Sequence, residues 1–229
     1  MHYFKKHEIV LWFGSMGIIT AVFFLFGREH YLNLVTSLIG VTGLIFSAKG
    51  NPFGQMLMII FSLIYGLISY RFGYYGETIT YIGMSMPMAV VSMISWLKHP
   101  YQGNHAEVEV HRISRKEIIM ASLLSVVVTI GFYFILQYFK TENLLFSTFS
   151  VTTSFLAVSL LFLRSAYFSL AYALNDMILM ILWGLAALKD SSYSSVLICF
   201  GVFLINDIYC FISWKQMEQK QDILNKNKI

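Results

Sequence analysis

The chain has 229 residues, 57% of them hydrophobic and only 12% charged, about half the charged share of an ordinary soluble domain. That balance excludes a mainly water-soluble molecule and places most of the chain in lipid. The net charge of +4 is explained by topology, argued below, and calls for no nucleic-acid partner.

A helix crosses the hydrocarbon core with about 20 mostly apolar residues, and eight runs fit that need. Residues 1–30 hold an N-terminal segment and an extra helix at 9–26. This run follows Lys5 and Lys6 like the core of a signal peptide, but it is long for one and no small-residue cleavage site precedes Tyr31. A first three-helix unit, 31–98, has spans at 31–48, 53–70 and 77–97. Residues 99–148 bring a polar loop, 99–116, and a linker helix at 117–138. A second unit, 149–216, is served by spans at 146–163, 167–188 and 193–214, and 217–229 is a short polar tail. The fold class is therefore all-α, a polytopic membrane protein of about eight transmembrane helices.

The two units repeat each other. Tyr31 to Trp96 aligns without a gap on Phe149 to Trp214, 118 positions later: Ser47-Ala48 with Ser165-Ala166, Gly66 with Gly184, Tyr75 with Tyr193, Gly83 with Gly201, and Ile94-Ser95-Trp96 with Ile212-Ser213-Trp214. Arg71 pairs with Lys189 and Tyr65 with Trp183. Four crossings separate the first helix of one unit from the first helix of the other, so the units run in the same direction as parallel repeats, a build common among secondary transporters. The helix at 117–138 restores orientation, giving a 3+1+3 arrangement behind one extra helix.

Twelve of the sixteen Lys and Arg residues fall on the side of the N-terminus, leaving Arg28, Arg71, Lys140 and Lys189 on the other. Cytoplasmic loops carry the cation excess, so both termini are expected in the cytoplasm. His99, His105 and His111 with Glu107 and Glu109 crowd the 99–116 loop, but their spacing matches no tight ligand set, and a solvated linker is expected. All six histidines lie outside the spans, which leaves no histidine proton relay within the membrane. Cys199 and Cys210 lie about three turns apart on one helix, too far apart to bridge. Nucleotide-binding loop, zinc motif and nucleophile elbow are all missing, so no enzyme, metal or cofactor is expected.

The chemistry lies in the few polar groups at depth. Asn175 and Asp176 sit near the middle of the 167–188 span, and Asn206 and Asp207 near the middle of the last. A carboxylate there costs about 2.5–3.5 kcal/mol on insertion scales. At helical spacing Tyr172, Asn175, Asp176, Leu179 and Trp183 share a face, as do Phe203, Asn206, Asp207, Cys210 and Trp214. Aromatic planes, amides and a carboxylate together suit a planar, hydroxylated, cationic solute; the same pairs could instead lock helix to helix. Gln55, Met58, Ser62, Tyr65 and Ser69 form a stripe on the 53–70 span, where Tyr65 either walls the same cavity or simply packs. Glu77 either gates entry or stabilises a helix N-terminus. Pro87 weakens its helix and is a candidate hinge. Trp96 and Trp214, close to Lys98 and Lys215, read as interfacial anchors.

Tyr75-Gly76-Glu77 opening a helix that ends in Trp96, Arg164-Ser165 ahead of Asn175-Asp176, and Asn206-Asp207-x-Tyr209 running into Trp214 resemble the PnuC family of vitamin and nucleoside transporters over about 31–217. The resemblance implies a SWEET-like helical architecture, a homotrimer, and facilitated diffusion of nicotinamide riboside, trapped inside by phosphorylation. It implies that Asn175 is the family's substrate-binding Asn and that Asn206 matches a polar position on the last helix. One element departs: the nicotinamide riboside branch has Trp-x-x-Trp after that Asn, where this chain has Leu179 and Leu182 with Trp183 beside them. Thiamine and deoxynucleosides, carried by relatives, are the alternative cargoes, and a non-transporting scaffold or receptor subunit is the alternative from another class.

Overall fold

The computed structural model describes residues 3–26, 31–71, 75–141, 143–189 and 193–226. Arg28 and Lys228, two of the cations used for orientation, lie outside the described residues. The order is α1 (Lys6–Phe26), α2 (Tyr31–Ala48), α3 (Pro52–Arg71), α4 (Tyr75–Thr80), a π-helical turn (Tyr81–Ser85), α5 (Met86–Lys98), a hairpin of β1 (Pro100–Tyr101) and β2 (Asn104–Val108), then α6 (Arg115–Tyr138), α7 (Leu144–Phe162), α8 (Phe168–Ala187) and α9 (Ser194–Lys226). Taking Tyr75–Lys98 as one crossing, eight helices among the described residues are long and apolar enough to span a membrane. The expected spans agree within three residues at every end but the last.

Local chemistry sets the boundaries. The Asn51 side chain accepts from the Phe53 amide at 2.9 Å, with Pro52 at the first helical position of α3, the preferred start of a helix. Ser114 and Glu117 form a reciprocal capping box on α6, satisfying two amides that the helix leaves open. Gly54 lets α2 and α3 approach closely, since a Cβ there would come within 2.5 Å of Ser47 Oγ. Small residues at such crossings allow tight packing where lipid offers no hydrophobic drive. Pro87, near the middle of the Tyr75–Lys98 crossing, follows directly on the π turn. Its missing N–H is accommodated there by a wider turn.

The ungapped register does not carry through to the helices. α7 begins five residues before and ends four residues before the counterpart of α2 in that register, and the longer loop 163–167 absorbs the slip.

Four further expectations are corrected. The 99–116 loop is not a solvated linker: β1 and β2 pair as a hairpin, the Val108 amide donates to Gly50 O at 3.0 Å, and the His111 amide donates to Arg164 O at 3.0 Å. Residues 108–111 thereby tie together the α2–α3 and α7–α8 loops. Nor is the tail a free polar segment, because α9 continues to Lys226 and Gln221, 3% exposed, accepts from Val110 N at 2.9 Å and donates to Val108 O at 3.0 Å. Arg112 pairs with Glu218 and Asp222, so charges that looked solvated in sequence are partners in space. Finally, Trp96 and Trp214 are not interfacial anchors, being 0% exposed. His7, placed outside the first span, lies in the first turn of α1 against Tyr209.

Candidate solute cavity

The indoles of Trp96 and Trp214 close one end of a cavity. Their N–H groups donate to Leu161 O at 3.1 Å and Ser47 O at 2.8 Å, and the neighbouring hydroxyls of Ser95 and Ser213 donate to Phe162 O at 3.0 Å and Ala48 O at 2.7 Å. Each half of the chain thus donates to the last carbonyls of the first helix in the other half, those of Ser47 and Leu161 also accepting the Gly50 and Arg164 amides of their own turns. Phe168 packs on both indoles.

Above this plug lies a cavity of about 560 Å³, within the usual range of about 300–1,000 Å³ for small-molecule sites. Its floor includes Ser47, Gln55, Leu161 and Phe168, and its lining reaches exposed Lys140 and Lys189 on the side away from the termini. The cavity is therefore open on that side and shut at the Trp pair.

Five elements furnish much of its wall. From α8 come Tyr172, Asn175, Asp176 and Trp183, from α9 Asp207 and Phe203, from α3 Phe61, Ser62 and Tyr65, and from α4 and the π turn Glu77 and Tyr81. Asp176 and Asp207 are 4% and 3% exposed, and both line the cavity from the packed helices α8 and α9. Asp176 Oδ2 and Asp207 Oδ1 are buried without a protein partner. Asn175 is held by Thr153, whose hydroxyl donates to its Oδ1 at 2.9 Å. Glu77 accepts from Ser69 Oγ at 3.3 Å and lies within reach of the Tyr65 hydroxyl. Tyr65 stacks on Phe61 at 5.7 Å and meets Tyr81 at 4.4 Å, while Trp183 leans on Tyr193 at 5.6 Å.

The structure brings together Tyr65, Tyr172, Asn175, Asp176, Trp183 and Asp207, with Glu77 higher in the cavity. Two expected residues stand apart. Asn206 lies outside the lining: its amide donates to Ser15 Oγ at 2.9 Å and to Val202 O at 2.8 Å, joining α9 to α1. Adjacent residues on a helix point about 100° apart, so Asp207 faces the cavity while Asn206 faces the neighbouring helix. Pro87 is exposed on the outer side. Tyr81 was missed, although its place one turn after Glu77 is the signal that puts the two on one face. Among the described residues no group of acidic, His and Cys side chains could hold a metal ion.

Apolar spans around a deep polar cavity with one open and one closed end are the build of a membrane carrier for a small solute. The family described as nicotinamide mononucleotide transporter matches residues 30–216, and the chain belongs to that family, one of transporters rather than enzymes. It is 24% identical over 218 residues to a protein of Neisseria mucosa named nicotinamide riboside transporter PnuC, covering 93% of this chain and 83% of that one. The crystal structure of the vitamin B3 transporter PnuC has the same fold, with a TM-score of 0.82 at 23% identity over 95% of this chain and 94% of the other.

Proposed function

We propose that this protein carries nicotinamide riboside across the cell membrane by facilitated diffusion with alternating access, the imported vitamin being held inside by phosphorylation. The observation that carries this reading is the inner cavity, where Asp176, Asp207 and Glu77 meet the aromatic planes of Tyr65, Tyr81, Tyr172 and Trp183. Among the described residues, the Lys side chains of the lining sit only toward its mouth. Carboxylates favour a cationic ring, aromatic faces stack on it, and amide and phenol groups bind sugar hydroxyls. A phosphate would bring negative charge against three carboxyl groups, which favours the riboside over the mononucleotide of the family's description.

In this reading Asn175, Asp176, Asp207, Tyr172, Tyr65 and Trp183 bind the solute. Glu77 gates its entry, and the π turn with Pro87 flexes as access alternates. Parallel 3+1+3 repeats of SWEET-like form, both termini in the cytoplasm and assembly as a homotrimer belong to the same proposal. The cation bias of the loops supports the orientation, and the family resemblance supports the repeats and the trimer. The discriminating experiment is equilibrium binding of nicotinamide riboside, its mononucleotide, thiamine and a deoxynucleoside to the purified protein. The riboside is expected to bind tightest; preference for the mononucleotide or for an uncharged nucleoside would reject the electrostatic argument.

A further inference from the structure

The two halves of the chain line the cavity out of step by one residue. On α9, a continuous α-helix, Asp207 and Phe200 both line it and lie seven residues apart, the spacing that about two helical turns return to one face. Their counterparts in the ungapped repeat are Ala89 and Ile82. Ala89 lines the cavity but Ile82 does not; its place falls to Tyr81, eight residues before Ala89, and one turn earlier to Glu77. Cys199 and Ser195, the repeat mates of Tyr81 and Glu77, lie outside the lining. Beyond this step the repeat register holds, since Ser95 and Trp96 make the same kind of bonds as Ser213 and Trp214.

The π turn accounts for the shift. The Met86 amide donates to Tyr81 O, five residues back, so this turn takes in one residue more than an α-helical turn. One extra residue rotates the preceding stretch by about 100°. Packing on α3 holds the rotated stretch in place. The Thr78 hydroxyl donates to Gly66 O at 3.3 Å, and Ile82 sits so close to Gly66 that a Cβ there would come within 2.5 Å of Ile82 Cγ1. Thr78 and Ile82 are thus turned onto α3, which leaves Glu77 and Tyr81 on the cavity face. A Cβ on Gly184, the repeat mate of Gly66, would meet no described atom within 4 Å, so this close seat belongs to the first half. On the cavity side Glu77 accepts from Ser69 Oγ at 3.3 Å, and the Tyr81 ring lies 4.4 Å from that of Tyr65 and 6.0 Å from that of Phe61.

We propose that the π turn is a specificity element: it brings Tyr81 into contact with the solute, where the phenol ring favours a cationic ring over a neutral one. The inference rests on the reading of the cavity as a cation site. The face of an aromatic ring is electron-rich and attracts a cation placed over it, most strongly where water is excluded. A regular helix would present Ile82 and Thr78 instead, which offer neither such a face nor a charge. Through this one-residue shift the duplicated halves bring different chemistry to one cavity. The second half supplies Asp176 and Asp207, and the first supplies Tyr81 and Glu77.

The test is equilibrium binding of nicotinamide riboside and of its uncharged reduced form to the purified wild type, Tyr81→Leu and Tyr81→Phe, with the melting temperature as the check on folding. Tyr81→Leu is expected to lose about tenfold in affinity for the cation, the worth of one desolvated cation–π contact, and no more than about threefold for the reduced form. Tyr81→Phe restores the ring and is expected to recover most of the loss. The register is tested separately in a Cys199→Ala, Cys210→Ala background, a measurement that stands even where Tyr81→Leu does not fold. There Tyr81→Cys is expected to react with a water-soluble thiol reagent and to be protected by the riboside, while Ile82→Cys is expected to stay unreactive. Unchanged affinity for the cation in folded Tyr81→Leu, or equal losses for both solutes, would overturn the role of Tyr81 and leave the carrier reading intact. Labelling of Ile82→Cys in place of Tyr81→Cys would overturn the shift itself. No binding of the cation by folded wild-type protein would overturn the cation-site reading and this proposal together.

Discussion

Trp96 and Trp214 meet with ring centroids 5.2 Å apart and planes inclined by 48°, each fully buried and each donating its indole proton to the helix end of the opposite half. The contact fixes which end of the cavity is shut. Alternating access requires this end to open, and opening must break these two hydrogen bonds and those of Ser95 and Ser213. Trp214→Phe keeps the ring but removes one of the two donors to Ser47 O, leaving the Gly50 amide. The loss of such a hydrogen bond costs about 0.5–1.5 kcal/mol. A lower melting temperature is expected, together with faster labelling of a cysteine placed at Ser47 from the side of the termini. An unchanged melting temperature and unchanged labelling would mean that the Trp pair is no latch.

Asp176→Asn should weaken binding of a cationic solute much more than that of a neutral one, because the substitution removes charge and keeps shape. At the effective dielectric of about 20 found for protein sites, a charge pair at 4 Å is worth about 4 kcal/mol, so a loss of at least tenfold is expected for nicotinamide riboside and little for its reduced form. Equal losses for both would remove the electrostatic role given to this residue.

Asn206→Ala separates the two roles that the residue type allows. Its amide is spent on Ser15 and Val202, so thermal stability is expected to fall by about 1–2 kcal/mol, the cost of a lost buried hydrogen bond, with affinity for the riboside unchanged. A large loss of affinity at unchanged stability would return Asn206 to the binding site.

How far the sequence could be read follows from these residues. Hydropathy located the spans because depth in the bilayer is a property of composition averaged over a run. It could not tell Asn206 from Asp207, since neighbouring residues point to different helices and only packing decides which faces the cavity. Trp96 and Trp214 were misplaced for a related reason: a Trp near the end of a span beside a Lys is the mark of an interface, and the carbonyls that draw these two inward belong to helices distant in sequence. The 99–116 loop looked solvated because its partners, Glu218, Gln221 and Asp222, lie more than one hundred residues later.

Gln221→Ala tests that docking. The side chain bonds both Val110 N and Val108 O, and its loss leaves buried backbone groups of the linker open at about 1–3 kcal/mol. Faster amide hydrogen exchange over residues 108–111 is expected, with the distant cavity retaining its affinity. Exchange as slow as in the wild type would show that the hairpin holds without the α9 extension.

The central claim is that this protein is a passive carrier for a cationic riboside, and uptake into liposomes tests it most directly. Purified protein reconstituted in vesicles would be offered nicotinamide riboside, thiamine and a deoxynucleoside side by side, without ATP or an imposed ion gradient. Saturable uptake of nicotinamide riboside, ahead of the other two and reduced in Asp176→Asn, is the result this account predicts. Uptake of none of the three by protein shown to be folded, or preference for the uncharged deoxynucleoside, would contradict it.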